Sequence, residues 1–187
     1  NKDQIKQRTP KWYSERNNLI TASDVATCLD LNPYQTKIEL LKKKCSDVEI
    51  INKASNSAMH HGVIFEQPAI CIYSHFKNLK IFELGLLKHD KYNWLAASPD
   101  GLAENGRLLE IKCLKYRNID NKIPIIYWIQ VQIQLEVCDI DECDLFQCKF
   151  HIFNNKDEYL NDSSINKGYL EDEKIYWKLS DYSIHVI

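Results

Sequence analysis

The chain has 187 residues, of which 44% are hydrophobic and 27% charged, with only five glycines and five prolines. This composition suits one folded domain with a full hydrophobic core, and we expect a single domain over residues 1–187. The net charge of −2 argues against a protein that coats nucleic acid without selection, although a local basic groove is compatible with it. Because no long apolar run occurs and the first ten residues are polar, we expect neither a membrane span nor a secretory signal.

Seven cysteines lie mainly in apolar segments, at positions 28, 45, 71, 113, 138, 143 and 148. Their odd number and apolar setting favour a reducing intracellular compartment, the cytoplasm or nucleus. Cys138, Cys143 and Cys148 are spaced by five residues. Zinc fingers and ribbons pair cysteines about two to four residues apart, so the spacing disfavours a zinc or iron–sulfur site.

The first predicted elements are helices between residues 10 and 45. Thr21 and Ser23 are typical N-cap residues and precede a short helix. Thr36 begins another helix, with the residue spacing of a capping box. The lysines at its end, residues 42–44, complement the helix dipole, and we favour a solvated face over a DNA-binding patch.

A longer amphipathic helix is predicted over residues 57–78, with Glu66 beside its apolar face. Pro68 indicates that the regular helix starts near Glu66 or is kinked there. His60 and His61 are interpreted as helix-surface residues rather than metal ligands.

Three strands are predicted next, near residues 80–87, 93–98 and 107–113. Pro-Asp-Gly and Asn-Gly turn sequences join the last two, which suggests a hairpin. Residues 125–137 alternate apolar and polar side chains like a strand, yet their unbroken length favours a helix.

The C-terminal part adds strands near residues 144–153, 174–179 and 183–187. The polar segment 154–173 is interpreted as a loop or insertion. We therefore expect an α/β or α+β domain with a central sheet, a core over about residues 57–153 and C-terminal strands over 174–187.

A group of charged residues follows the second predicted strand. Asp100 lies in the Pro-Asp-Gly turn, and Glu110 and Lys112 share one face of the third strand. Carboxylates beside an ammonium suit a magnesium site that cleaves phosphodiester bonds, because the metal stabilises the transition state and the ammonium orients or deprotonates water. An ordinary turn and a solvated ion pair explain the same residues, so the pattern alone leaves both interpretations open.

These residues resemble the active-site signature of the PD-(D/E)xK nucleases, specifically the lambda-type exonuclease and YqaJ-like viral recombinase group. The signature is "SPDG…LEIKC" at residues 98–113. Other segments match in order: the Trp-Tyr pair at 12–13, "ERNNLITASDVATCL", "HHGVIFEQPAICIY" and "YWIQVQIQLEV". The resemblance covers roughly residues 10–150 and implies that residues 125–137 are a helix.

The resemblance implies a restriction-endonuclease-like αβββαβ core, with a central mixed sheet flanked by helices. It also implies a Mg²⁺-dependent enzyme, with Mn²⁺ able to substitute, that degrades linear double-stranded DNA 5′ to 3′ to mononucleotides. Such enzymes of viral or phage type serve recombination or repair. The implied partners are double-stranded DNA ends, with a single-strand annealing protein and further copies of the chain as additional candidates.

The resemblance also implies the roles of individual residues. Asp100, Glu110 and the Ile111 carbonyl hold one metal ion and Glu66 helps to hold a second. Lys112 acts on the nucleophilic water, with support from Gln130.

The remaining implied contacts are to DNA. Arg16 and Ser23 bind the terminal 5′-phosphate, with Thr21, Tyr127 and Gln132 in the same DNA-binding set. An arginine near a helix start rich in hydroxyl groups is by itself a plausible phosphate site.

Two rival functions use the same fold. A structure- or sequence-directed endonuclease would retain the metal site and cut closed circular DNA. A catalytically silent DNA-binding module would bind DNA without cleaving it, and the intact Asp100, Glu110 and Lys112 argue against it.

Overall fold

The computed structural model describes residues 5–46, 58–120 and 122–187. Residue 57, where the long helix was expected to begin, lies outside them. The helices are α1 Pro10–Asn17, α2 Ala22–Cys28, α3 Lys37–Cys45, α4 Ala58–Lys77, α5 Ile125–Cys138 and α6 Lys156–Asn161. The strands are β1 Ile20–Thr21, β2 Ile81–Phe82, β3 Leu87–Lys88, β4 Leu95–Ala97, β5 Gly101–Ala103, β6 Leu108–Cys113, β7 Cys143–Ile152, β8 Lys167–Leu170 and β9 Ile175–Val186.

Within the described ranges these strands form two sheets. The larger sheet has the order β2-β5-β6-β7-β9-β8, and the smaller has the order β1-β4-β3. Strands β6 and β7 are parallel, whereas the other neighbours in the larger sheet are antiparallel. A parallel pair needs a crossover connection, and α5 supplies it between β6 and β7.

Both faces of β6 are covered. Leu109 and Ile111 pack in the main core cluster with Phe65 and Tyr73 of α4. The neighbouring Leu108 packs in a second cluster with Val131 of α5 and Cys143 of β7. Because strand side chains alternate between faces, Glu110 and Lys112 share the α5 side with Leu108. A carboxylate and an ammonium therefore lie beneath a helix rather than at an open surface.

The expected αβββαβ order is present as α4, β2, β5, β6, α5 and β7. Its middle strand is Gly101–Ala103, however, and the expected strand near 93–98 is β4 of the smaller sheet. The prediction that residues 93–98 and 107–113 form a hairpin is therefore wrong. The hairpin is β5–β6, whose turn contains Gly106 at φ +88°, a conformation that favours glycine.

The prediction of a single strand over residues 80–87 is also wrong. This segment contains two strands, β2 and β3, which belong to different sheets. At Gly85, between them, the backbone passes so close to the Ile5 carbonyl that a Cβ atom would collide with it. The chain leaves one sheet at this point and joins the other.

The helical interpretation of residues 125–137 is confirmed by α5. Helix α4 runs continuously past the buried Pro68, so the alternative start near Glu66 is wrong. The segment 154–173 contains α6 and β8 rather than only loop. The two C-terminal strands are one strand, β9, because it pairs with β7 on both sides of a register shift opposite Lys149 and Phe150 and pairs with β8 near its start. No helix in the described ranges combines the length and apolarity needed to cross a bilayer.

Candidate active site

The buried carboxylate of Glu110 is the most densely hydrogen-bonded group of the candidate site. Its side chain is 3% exposed. Oε1 accepts hydrogen bonds from Lys112 Nζ at 2.6 Å and from Gln130 Nε2 at 2.6 Å. Oε2 accepts a hydrogen bond from Gln134 Nε2 at 2.7 Å. Strand β6 and helix α5 therefore hold one carboxylate in a fixed orientation.

Two further carboxylates share the electrostatic environment of Glu110. Asp100 lies between β4 and β5, and its Oδ2 accepts a hydrogen bond from the Ile111 N–H at 2.7 Å. Burial, followed by the charges of Glu110 and Glu66, raises the pKa of Asp100 well above its ordinary value. Burial also raises the pKa of Glu66 on α4, with Glu110 adding to the rise and Arg8 opposing it. Three acidic groups from three elements thus repel one another.

The Lys112 ammonium lies among these groups. Besides Glu110, it donates a hydrogen bond to Gln130 Oε1 at 2.9 Å, and it lies 5.0 Å from the ring centroid of Tyr127. Burial alone would lower the pKa of Lys112, but Glu110 and Asp100 outweigh burial and raise it. Lys112 is therefore a cation at neutral pH in this state.

The donor set fits a hard divalent cation. Carboxylate and carbonyl oxygens are the ligands that Mg²⁺ prefers. Burial, together with repulsion from Glu110 and Glu66, raises the pKa of Asp100, and a cation bound between the carboxylates would relieve the repulsion. Among the described residues, no group of three or more His, Cys, Asp or Glu side chains is arranged to hold a metal ion by itself. Mg²⁺ in proteins usually keeps several waters and takes other ligands from a phosphate.

A second polar cluster lies at the junction of α1 and α2. Arg16 Nη2 lies 3.1 Å from Ser23 Oγ and 3.3 Å from Thr21 Oγ1. The guanidinium stacks over Trp12, with its carbon 4.2 Å from the ring centroid. Ser23 is exposed, whereas Thr21 is buried and donates its hydroxyl to Asp24 Oδ2 at 2.7 Å. Arg16 and Ser23 are thus available to a ligand, and Thr21 is a supporting residue.

The two clusters are connected. Trp12, beneath Arg16, donates its indole N–H to Ser98 Oγ at 3.0 Å. Ser98 leads through Pro99 to Asp100. Burial lowers the pKa of Arg16, and the charges of Asp24 and Glu110 act against that decrease. Trp12 thus links the arginine–serine cluster, formed by Arg16 and Ser23, to the segment that carries Asp100.

Sequence comparison assigns the chain to a family. The profile of the YqaJ-like viral recombinase domain matches residues 11–141, which is most of the chain. The chain belongs to the YqaJ-like viral recombinase domain family. The resemblance seen in the sequence is thereby confirmed.

Two relatives illustrate the extent of this YqaJ-like domain. Protein R354 of Acanthamoeba polyphaga mimivirus is 34% identical over 179 residues, covering 86% of this chain and 32% of R354. YqaJ of Bacillus subtilis (strain 168) is 28% identical over 133 residues, covering 68% of this chain and 41% of YqaJ. The chain therefore spans well under half the length of these two relatives.

Solved structures share the fold of the YqaJ-like domain. LHK-Exo in complex with dAMP superposes with a TM-score of 0.62 at 24% identity, over 96% of this chain and 82% of that chain. The alkaline exonuclease LHK-Exo from Laribacter hongkongensis gives a TM-score of 0.58 at 24% identity, over 92% and 83% of the two chains. The predicted mixed α/β fold class is confirmed.

Two other residues of the YqaJ-like domain that were predicted to bind DNA, Tyr127 and Gln132, lie in different places. Tyr127 lies against Lys112, and its ring centroid is also 5.7 Å from the Arg117 guanidinium carbon. Gln132 instead lines a separate cavity of about 460 Å³ with His89 and Glu136. Successive helical residues point in different directions, so Gln132 does not join Gln130 at Glu110.

Three residues that contact the site were not among the predicted site residues. Gln134 contacts Glu110, and its spacing of one helical turn from Gln130 was the available signal. Arg8 forms an ion pair with Glu66, and nothing in the local sequence pattern indicated this contact.

Lys44 is the third. It donates hydrogen bonds to the Arg16 carbonyl at 2.8 Å and the Leu19 carbonyl at 2.7 Å, and it pairs with Asp24 at 2.8 Å. The expectation that it belongs to a solvated face is wrong, because α3 packs this lysine against the α1–α2 junction.

The surface interpretation of His61 is wrong as well. Its side chain is buried and its ring centroid lies 4.6 Å from that of Phe65. His60 is half-buried and lies 3.7 Å from Glu173. Helix α4 therefore turns His61 towards the core.

Proposed function

We propose that this chain is the nuclease domain of a Mg²⁺-dependent exonuclease, which degrades linear double-stranded DNA from its 5′ ends to mononucleotides. Membership of the YqaJ-like viral recombinase domain family and the fold shared with an alkaline exonuclease support a nuclease of the lambda exonuclease type. The observation that carries the proposal is a physical link between the arginine–serine cluster and a carboxylate–lysine centre, which consists of Glu66, Asp100, Glu110 and Lys112. Trp12 stacks on Arg16 and donates a hydrogen bond to Ser98, two residues before Asp100.

The arginine–serine cluster supports recognition of a 5′ end. Arg16 presents a planar guanidinium held by its stack on Trp12, and such a fork matches two oxygens of one phosphate. The exposed Ser23 hydroxyl beside it supplies a further hydrogen bond. A terminal phosphate carries one more ionisable oxygen than an internal phosphodiester, so this cluster would favour chain ends.

The carboxylate–lysine centre supports phosphodiester hydrolysis. Asp100, Glu110 and the Ile111 carbonyl would hold one divalent ion and Glu66 would help to hold a second. When bound, such ions polarise the phosphate and lower the pKa of a bound water. Lys112, held by Glu110 and Gln130, would orient the attacking water and neutralise charge developing on the phosphate.

Gln130 and Gln134 would keep the Glu110 carboxylate in its productive orientation during this reaction. Tyr127 packs on the Lys112 ammonium and would limit its motion. In a recombination pathway, the single strand exposed by such digestion would pass to an annealing protein.

The proposal is tested with three DNA substrates of the same sequence: a 5′-phosphorylated linear duplex, a 5′-hydroxyl linear duplex and a covalently closed circle. With Mg²⁺ we expect fast release of mononucleotides from the first, slow release from the second and no cutting of the third. Cutting of the circle would instead assign an endonuclease.

Lys112→Ala separates an enzyme from a silent binding module. We expect this variant to lose cleavage in Mg²⁺ while it still binds the linear duplex in Ca²⁺. If the native chain cuts none of the substrates with Mg²⁺ or Mn²⁺, the enzymatic proposal is wrong.

A further inference from the structure

Residues 5–9 are here called the N-terminal strap, and Lys6, Gln7 and Arg8 of this strap line one cavity with Glu66 and Asp100. Ile5 pairs with Leu86 in an antiparallel bridge, and the Leu86 N–H donates to the Ile5 carbonyl at 3.0 Å. Gln7 Nε2 donates to the Leu84 carbonyl at 2.9 Å and to the Pro99 carbonyl at 2.8 Å. Since Pro99 precedes Asp100, these bonds attach the strap directly to the segment that carries a candidate metal ligand.

The N-terminal strap packs closely against the backbone at Gly85. At Gly85 the Ile5 carbonyl occupies the space that a Cβ atom would need. The strap ends at Thr9, whose hydroxyl accepts a hydrogen bond from Trp12 N at 3.2 Å and caps α1. It is therefore fixed at both ends, and Arg8 is fixed between them.

Arg8 combines an unfavourable backbone with a specific side-chain contact. Its φ is +63°, in the left-handed region that favours glycine. Its guanidinium forms an ion pair and hydrogen bond with Glu66 Oε2. The pair lines a cavity of about 390 Å³, whose wall also includes Asp100. A cation thus lies on the carboxylate proposed to help hold the second metal ion.

We propose that Arg8 is an internal counter-ion that competes with a divalent metal ion for Glu66. This inference rests on the proposed metal-dependent function. A guanidinium and a metal ion both require the Glu66 oxygens, and their charges repel each other, so one binds at the expense of the other.

The exposure of the two cations explains why Arg8, rather than Lys112, is the exchangeable one. The Arg8 side chain is 39% exposed and can turn into water, whereas Lys112 is 19% exposed and is held by Glu110 and Gln130. Arg8 therefore stabilises the acidic centre in the metal-free protein and sets the metal concentration that the centre requires.

The test is calorimetric titration of the full chain with Mn²⁺, comparing the native protein with Arg8→Gly, Arg8→Lys and Glu66→Gln. Glycine suits φ +63°, so Arg8→Gly removes the side chain without straining the strap. We expect Arg8→Gly to bind Mn²⁺ about three- to tenfold more tightly than the native chain, and Arg8→Lys to stay close to native because it keeps the charge. In the Glu66→Gln background, Arg8→Gly should have no effect.

The outcomes separate this inference from the proposed function. If the native chain binds Mn²⁺ and Glu66→Gln weakens binding, but Arg8→Gly does not tighten it, the inference is wrong and the metal site stands. If Arg8→Gly instead weakens binding of a 5′-phosphorylated duplex in Ca²⁺ with an unchanged Mn²⁺ titration, Arg8 is a DNA contact and the inference is again wrong. If the native chain takes up no Mn²⁺, the proposed function itself fails.

Discussion

Gln134 donates a hydrogen bond of 2.7 Å to Oε2 of Glu110, on the carboxylate oxygen opposite the one that Lys112 and Gln130 contact. Both oxygens of this buried carboxylate are therefore fixed by side chains. Gln134 is fully buried, and its own Oε1 has no hydrogen-bond partner among the described residues. The unsatisfied oxygen costs stability, so the hydrogen bond to the buried Glu110 carboxylate is the contact that explains why an amide lies here, and orienting Glu110 is its role.

Replacing Gln134 should therefore affect both stability and catalysis. In Gln134→Leu the Glu110 carboxylate loses a buried donor, which should lower the free energy of unfolding by about 1–3 kcal/mol and slow cleavage. Gln132→Leu is the matched control on the same helix, because Gln132 lines the separate cavity; it should change stability by no more than about 0.5 kcal/mol. Guanidinium denaturation and end-labelled duplex digestion measure the two effects. Equal effects of both variants would show that Gln134 does not support Glu110.

Asp100 should show opposite effects on stability and activity. Its charge is disfavoured in the folded protein by burial, Glu110 and Glu66, so Asp100→Asn should raise Tm by a few degrees while reducing cleavage at least about 100-fold. An asparagine carbonyl can still accept the Ile111 N–H.

Asp144 provides the contrast for Asp100. It is 2% exposed but accepts hydrogen bonds from Tyr73 at 2.5 Å and Arg107 at 3.2 Å. Asp144→Asn should therefore lower Tm. A fall in Tm for both variants by thermal denaturation would contradict the repulsion argued for Asp100.

Arg16 should determine the preference for a 5′-phosphate. Without its guanidinium, Arg16→Ala should lose about 10- to 100-fold in rate on the 5′-phosphorylated duplex and change little on the 5′-hydroxyl duplex. Arg16→Lys keeps the charge but not the planar fork or the stack on Trp12, so its rate should be intermediate. Single-turnover digestion of the two substrates measures the preference. If Arg16→Ala still prefers the 5′-phosphorylated duplex to the 5′-hydroxyl duplex, Arg16 does not bind the terminal phosphate.

Local rules were sufficient to predict many elements of this domain. Capping at Thr36 and the length of residues 125–137 predicted α3 and α5. The assignment of strands to sheets depends on contacts distant in sequence. Nothing between Lys80 and Leu87 indicates that the chain changes sheets at Gly85, because the reason is the approach of Ile5.

The candidate site shows the same division. Asp100, Glu110 and Lys112 were predicted as site residues from a short local pattern and the family resemblance. Such a pattern could be recognised because the three residues lie close together in the sequence. Arg8 and Lys44 reach the site across 58 and 28 residues of sequence, respectively, so no local pattern marks them. Gln134 could be predicted only in part. The sequence shows that it lies one helical turn from Gln130, but it does not show that Glu110 lies beneath both residues.

Lys44 should act as a positioning residue beneath the arginine–serine cluster. Burial would raise the pKa of Asp24, but the hydrogen bonds from Lys44 and Thr21 outweigh it and lower that pKa. Lys44→Met leaves this carboxylate without its cation, which should cost about 3 kcal/mol of unfolding free energy. Adding Asp24→Asn should restore part of the loss. Lys42→Met, on the exposed surface of the same helix turn, should cost no more than about 0.5 kcal/mol in the same urea denaturation series. A native-like Lys44→Met would mean that the three contacts contribute nothing measurable.

His61 should make the domain sensitive to mild acid. Burial, with the nearby positive charges of Lys115 and His60, lowers its pKa from 6.5 to about 4, and its Nε2 has no hydrogen-bond partner among the described residues. Between these two pKa values the unfolded chain binds a proton that the folded chain does not, so stability present above pH 6.5 is lost as the pH falls towards 4.

The size of this effect follows from the two pKa values. The native chain should lose about 2 kcal/mol between pH 7 and pH 5 through His61, and His61→Leu should lose correspondingly less. Urea denaturation at both pH values measures how much unfolding free energy each protein loses. Comparing the loss of the native chain with that of His61→Leu cancels the contributions of the other titrating groups. His75→Leu, which replaces an exposed histidine of the same helix, is the matched control substitution. If His61→Leu and the native chain lose equal stability between pH 7 and pH 5, His61 is not the group that titrates on unfolding.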